Sequence, residues 1–232
     1  IGSAICRRLA AEGASIIVTY HRSRDKAQAL VESLGTGDHL AIHAPVDDSR
    51  AQAALAQTVA AKYGTLDILV NNAGITRPVP HADLDSLTDD LIDEIFRVNV
   101  RGTLASVRAL RTLLEVGEGG LVINISSIAA RTAFGSNVAY CASKAAVDNI
   151  TMSLARALAP KIRVVSIAPG WVNGEYAQRM PPEMIERQRE LTPLGRIAEA
   201  EDVAAAVYAV AAHLTFTTGA VLSVDGGRPL AH

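Results

Sequence analysis

The segment Tyr140-Cys-Ala-Ser-Lys144 sets a phenol four residues from an ammonium, and on a helix that spacing brings both to one face. A phenol with its ordinary pKa of about 10 handles protons poorly near neutrality, and a neighbouring ammonium stabilises the phenolate and lowers that value. Such a pair can donate a proton to a carbonyl oxygen or accept one from an alcohol. A surface Tyr–Lys contact would show the same spacing, so the pair needs company. Ser127 and Ser126 stand thirteen and fourteen residues upstream. A hydroxyl there, at the end of a strand, could hold the oxygen that Tyr140 protonates, or the two serines could simply cap a turn. Asn99, in Arg-Val-Asn-Val-Arg, is polar on the otherwise apolar side of a helix. It either satisfies a backbone group or joins a functional network. Asn71-Asn72-Ala73-Gly74 makes a turn of little bulk, which lets a ligand approach the backbone or merely ends a strand.

The elements that must position these residues alternate along the chain. β-Branched runs at 15–20, 39–43, 66–70, 121–125, 162–167 and 220–224 are interleaved with helical stretches at 25–34, 49–63, 88–114, 139–159 and 199–212. The strands are continuous apolar runs, which points to a parallel sheet covered by helices on both faces. This is the doubly wound α/β class, a three-layer Rossmann-like single domain whose ligands bind at the carboxyl ends of the strands. Residues 169–194 are Pro-rich and irregular, a candidate mobile lid whose substrate-facing part is 173–194, with Tyr176, Gln178, Arg179, Met180 and Met184. The first residues already form a helical pattern: Ile1, Ile5 and Leu9 recur at four-residue spacing, and Gly13 sits where a helix end favours positive φ. An upstream strand and a glycine-rich loop are expected in the complete protein, because the first strand of this class lies mid-sheet beside the strands at 15–20 and 66–70.

Composition narrows the function classes. Twenty-two basic and twenty-four acidic residues leave a net charge of -2, against a nucleic-acid binder. The basic residues are scattered, so no polybasic membrane patch forms, and no apolar run approaches the roughly 18–20 residues of a membrane span. Two cysteines, Cys6 and Cys141, make no disulfide framework and point to a reducing, cytoplasmic compartment. No Cys-x-x-Cys appears, and no metal is expected.

Together the motifs resemble the short-chain dehydrogenase/reductase family, from Ile1 to Gly227. Ile1-Gly2 look like the last two positions of that family's Thr-Gly-x-x-x-Gly-Ile-Gly cofactor loop, and Asn71 to Gly74 match its Asn-Asn-Ala-Gly. The family's catalytic Asn, Ser, Tyr and Lys fall on Asn99, Ser127, Tyr140 and Lys144. Ala168-Pro169-Gly170-Trp171-Val172 matches the turn that touches the nicotinamide, and Asp225-Gly226-Gly227 the usual ending. Three departures are visible. Pro45 replaces an Asp that bonds the adenine amino group, leaving Val46 at the ring; Val165 replaces a common Asn; Asn173 stands where a Thr often contacts the cofactor amide.

The resemblance implies hydride transfer between a nicotinamide and a carbonyl or secondary alcohol. It places Ile1, Gly2, Asn72, Ala73, Gly74, Pro169, Gly170 and Val172 at the cofactor, with Tyr140 and Lys144. Tyr140 would donate the proton, Ser127 hold the substrate oxygen, Lys144 assist the phenol and bond the ribose hydroxyls, and Asn99 hold a water that links Lys144 to solvent. A 3-oxoacyl thioester is the first substrate expectation and a sugar or polyol the second. A non-catalytic nucleotide-binding scaffold is the rival, disfavoured because all four residues are present. The family also implies a homodimer or homotetramer through the helices at 88–114 and 139–159. Cofactor choice rests on Tyr20 and its successors in the chain, His21, Arg22, Ser23 and Arg24, with no acid before Asp25. Arg22 with Ser23 suits a 2′-phosphate, so NADP(H) is expected ahead of NAD(H).

Overall fold

The computed structural model describes residues 1–174 and 177–230. Tyr176 of the expected lid falls outside them. In chain order the elements are α1 (Gly2–Ala11), β1 (Ile17–Tyr20), α2 (Arg24–Glu32), β2 (Leu40–His43), α3 (Ser49–Tyr63), β3 (Ile68–Asn71) and α4 (Asp89–Phe96). A π-helical turn (Arg97–Arg101) leads into α5 (Gly102–Leu114). Then come β4 (Gly120–Ile125), α6 (Ala129–Thr132), α7 (Val138–Leu158), β5 (Ile162–Pro169), a 3-10 turn (Ala177–Arg179), α8 (Pro182–Glu190), α9 (Ala200–Ala212) and β6 (Val221–Val224). Local chemistry explains several of the boundaries. The Asp48 side chain accepts the first amide protons of α3, and Gly64 ends that helix at φ 74°. The Asn137 side chain caps α7 at Tyr140 N.

All described strand pairs are parallel, in the orders β1-β2 and β3-β4-β5-β6. Strand alternation sorts the side chains. Leu121, Ile123, Ile125, Val165 and Ile167 join Ile5, Leu9, Val203 and Val207 in the core beneath α1 and α9. Val122, Ile162 and Val164 point the other way, against Val107 of α5 and Ala155 of α7. The layers are therefore α1 and α9, the sheet, and α3, α5 and α7.

Between β1 and β3 runs a cavity of about 810 Å³, lined by residues 15–19 on one side and 65–71 on the other. It runs the full length of both strands, between Ile5 and Leu9 of one helical layer and Leu55 and Val59 of the other, which is the place of a strand in a doubly wound sheet. The ligand crevice of this class lies outside the carboxyl ends of the strands.

Two expectations need correction. The stretch 88–114 is not one α-helix: its hydrogen bonding widens to a π turn over 97–101, centred on Asn99. The segment 169–194 is not irregular throughout, because Pro182 at a first-turn position opens the nine-residue helix α8.

Candidate active site

Strands β3, β4 and β5 end in steps, β4 one residue past β3 and β5 two past β4, and residues near these ends converge. Ser127 lies just past β4. Its hydroxyl oxygen accepts from Ala129 N at 3.1 Å, so it does cap a turn, and that bond leaves the hydroxyl proton available for an outside acceptor. Ser126 is buried and donates to the Lys144 carbonyl at 3.3 Å. Tyr140 and Lys144 share one face of α7, with the Lys144 ammonium 5.8 Å from the Tyr140 ring centre. Lys144 Nζ donates to Ile125 O at 2.8 Å. Burial lowers the Lys144 pKa to about 8, and the Asp148 carboxylate opposes that fall.

Asn99 is 1% exposed and serves both readings of its sequence position. Its Oδ1 accepts from Ile75 N at 2.8 Å and its Nδ2 donates to Ile75 O at 3.1 Å, which clamps the loop after Gly74. The same Nδ2 donates to Ser143 Oγ at 3.0 Å. A side chain at Gly74 would start 3.4 Å from Asn99 Oδ1 and 3.5 Å from Lys144 Nζ. One point of the backbone thus touches two of the four candidate residues. π turns of this kind favour functional sites because they turn one side chain out of helical register.

The cofactor candidates divide into two groups. Gly2 lies against Asn72, since a Cβ at Gly2 would stand 2.7 Å from Asn72 Nδ2. Helix α1 carries no acid in its first turn, which suits an anionic group at that end. Ile1, Gly2, Asn72, Ala73 and Val46 all line the cavity between β1 and β3, and Val46 packs so closely on α5 that Gly102 has no room for a Cβ. Gly170 donates to Val224 O at 3.0 Å and is pressed against Asp225, 3.0 Å from where its Cβ would be. Pro169 O accepts from Ile128 N, and Val172 bridges to Ala198. Tyr20, Arg22 and Ser23 sit apart, at the end of β1. The Tyr20 ring lies 5.5 Å from that of His43, and Arg22 and Ser23 are exposed. Small residues where Gly2 meets Asn72 and an exposed basic rim at the end of β1 fit a phosphorylated dinucleotide.

Not every sequence expectation meets the site. Val165 is fully buried on the α1–α9 side of the sheet. Asn173 Nδ2 donates to Glu199 at 3.2 Å and helps start α9. Cys141 is a buried core residue whose pKa burial raises.

Known proteins share this arrangement. A family profile described as enoyl-(acyl carrier protein) reductase matches residues 1–228. A granaticin polyketide synthase protein of Streptomyces violaceoruber, whose name describes it as ketoacyl reductase 2, is 38% identical over 99% of this chain and 92% of its own. The chain is a short-chain dehydrogenase/reductase. A 3-oxoacyl-(acyl-carrier-protein) reductase of Staphylococcus aureus is 32% identical, covering 98% of this chain and 93% of its own. A solved short-chain dehydrogenase/reductase of Serratia marcescens superposes with a TM-score of 0.89 at 34% identity, covering 98% and 92% of the two chains. The protein is accordingly an NAD(P)-dependent oxidoreductase that acts on carbonyl groups. No helix among the described residues is long and apolar enough to cross a membrane.

Sequence reasoning missed a buried polar row beneath this short-chain dehydrogenase site. Asn71, Asn124 and Ser166 are laterally paired on β3, β4 and β5. Asn71 donates to Asn124 at 2.9 Å and Asn124 to Thr151 at 2.8 Å. Ser166 donates to Asp148 at 2.9 Å. The signal was present as single polar residues inside the apolar runs Leu-Val-Ile-Asn-Ile and Val-Val-Ser-Ile.

Proposed function

We propose that this enzyme reduces 3-oxoacyl thioesters with NADPH, using Tyr140 as proton donor, Ser127 to hold the substrate oxygen, and Lys144 and Asn99 behind them. The observation that carries the reading is the convergence of Asn99 and Lys144 on Gly74, one helical turn from Tyr140, at the carboxyl ends of β3 and β4. The bound nicotinamide supplies hydride. Tyr140 gives its proton to the carbonyl oxygen, and the Lys144 ammonium stabilises the phenolate left behind. Ser127 donates its free hydroxyl proton to the same oxygen as negative charge develops there. Asn99 fixes the 74–75 backbone and holds a water through which Lys144 reaches solvent. Ile1, Gly2, Asn72, Ala73, Gly74, Pro169, Gly170 and Val172 hold the cofactor, with Val46 at its adenine end and Arg22 and Ser23 at a 2′-phosphate.

An apolar rim supports a thioester ahead of a sugar or polyol. Phe134, Leu194 and Leu230 are 64%, 73% and 75% exposed. They gather at the 226–228 turn, where Leu194 and Leu230 approach Gly226 and Gly227 and Arg228 stands over the Phe134 ring. An acyl chain would cover these side chains, whereas a polyol would leave them wet. The expected lid, 173–194, contributes Leu194 to this rim. Leu104 on α5 and Met152 on α7 are 41% and 50% exposed, which favours a homodimer or homotetramer through those helices. The free cysteines Cys6 and Cys141 fit a cytoplasmic enzyme. The experiment is the decay of NADPH absorbance with an acetoacetyl thioester, run beside polyols with NADP. Thioester-dependent decay supports the reading; oxidation of polyols alone, or cofactor binding without turnover, defeats it.

A further inference from the structure

Arg8, Arg97, Arg111, Arg189 and Arg196 each pair with a carboxylate. Arg228, in the C-terminal 3-10 turn (Arg228–Leu230), is half-buried and pairs with none among the described residues. Its Nη2 donates to a neutral group, Gln188 Oε1, at 3.1 Å, and its Cζ stands 5.9 Å from the centre of the Phe134 ring. Its Nε is buried and bonds nothing among the described residues, whereas a buried donor ordinarily has a partner. Nη1 bonds nothing there either and is not buried, so that end of the guanidinium is open.

The acids nearby are engaged elsewhere. The Asp225 carboxylate accepts from Gly227 N at 2.9 Å, and Glu186 of α8 pairs with Arg189. Arg131 of α6, bonded to Ser223 of β6, adds a second cation. A guanidinium taken partly out of water without an acid is costly, yet this one is held in place. Gln188, which bonds it, is buried in α8, and Thr192 bonds the Gln188 carbonyl at 2.7 Å.

That place is the mouth of the site. Arg228 N donates to Asp225 O at 3.1 Å, and Asp225 presses on Gly170 just past β5. Across the mouth, Phe134 precedes Gly135, where a Cβ would stand 3.3 Å from Tyr140 Cδ1. We propose that Arg228 is the substrate-specificity residue of this site: the open end of its guanidinium takes an anionic oxygen group that the substrate carries beyond the apolar rim of Phe134, Leu194 and Leu230. The proposal deepens the thioester reading and rests on it. Two sources offer this chemistry, a carboxylate at the far end of the acyl chain and the phosphate of a 4′-phosphopantetheine arm. Either presents two oxygens to the planar fork of an arginine, which lysine matches only as a point charge.

Matched thioesters separate the sources. The 3-oxohexanoyl and 3-oxoadipyl thioesters of N-acetylcysteamine differ only at the chain end. Acetoacetyl pantetheine and acetoacetyl 4′-phosphopantetheine differ only in the arm. With NADPH, the parent should favour the anionic member of a pair by about tenfold in kcat/KM, the scale of a charge-assisted hydrogen bond, and the pair that splits names the source. Arg228→Gln should lower kcat/KM for that anionic member about tenfold more than for its neutral partner, and Arg228→Lys should restore part of the preference. No split in either pair overturns the proposal. So does an equal loss on all the substrates in Arg228→Gln, which would mark a merely structural contact with α8. Should the parent reduce none of them, the thioester reading fails and calorimetric binding of the same compounds decides Arg228. A charge-dependent affinity that Arg228→Gln loses upholds the proposal, and affinities blind to charge overturn it.

Discussion

The two sides of the central cavity are built differently. Every residue of β4 is buried, and seven of the eight in β5, whereas β1 and β2, like the flanking strands β3 and β6, hold no fully buried residue. On the β3–β6 side, polar groups enter the interior only with partners: Asn71 with Asn124, Asn124 with Thr151, Ser166 with Asp148. On the β1–β2 side, polar and basic groups stand at the surface, with Tyr20, His21, Arg22 and His43 around one strand end. On the proposed reading, the difference separates two tasks. Proton chemistry needs side chains held in fixed positions by a close-packed floor, and recognition of a charged cofactor end needs exposed groups that can meet it.

That contrast can be broken by mutation. Ile167→Ala removes a fully buried side chain and should cost about 2–5 kcal/mol, while Ile17→Ala on half-buried β1 should cost about 1 kcal/mol; urea midpoints read both. Equal losses would erase the distinction. Cofactor choice tests the exposed side alone. Specificity constants should favour NADPH over NADH by at least about tenfold, roughly 1.4 kcal/mol, and Tyr20→Asp should shift the ratio toward NADH without slowing the chemical step. Equal use of both cofactors by the parent would remove Arg22 and Ser23 from the site.

Much of this was legible in the sequence because the signals were local. Tyr140 and Lys144 declare themselves by helical spacing, and the strands by apolar runs such as 121–125. The π turn at Asn99 was not legible, since its sequence has the same apolar period as the helices on either side. Neither was α8, where the prolines that suggested irregularity instead start a helix. Asp148 was hidden for another reason. On one helix it is an ordinary acid, and only the register of β5 against α7 brings Ser166 to it.

Two smaller effects sharpen the comparison further. An N-terminal extension supplying an apolar strand that pairs with the facing edges of β1 and β3 should raise Tm by about 2–4 °C for each kcal/mol gained. No rise would mean that those edges do not act as pairing edges. Stability should also carry the mark of Lys144. Its folded pKa of about 8 lies below its unfolded one, so between those values the unfolded chain binds the extra proton. This group therefore makes the protein more stable as pH rises from about 8 toward the ordinary lysine range near about 10.4. The stability difference between the parent and Lys144→Met should rise across that window and stay flat below it. A difference independent of pH would contradict the buried charge.

The central claim is that the chemistry resides in Tyr140 on its buried floor. Its most direct test is NADPH-dependent reduction of an acetoacetyl thioester by Tyr140→Phe, with cofactor affinity measured in parallel by fluorescence. Turnover should fall by nearly all of its parent value while NADPH binds within a few fold; a Tyr140→Phe enzyme that still turns over at the parent rate would contradict the account.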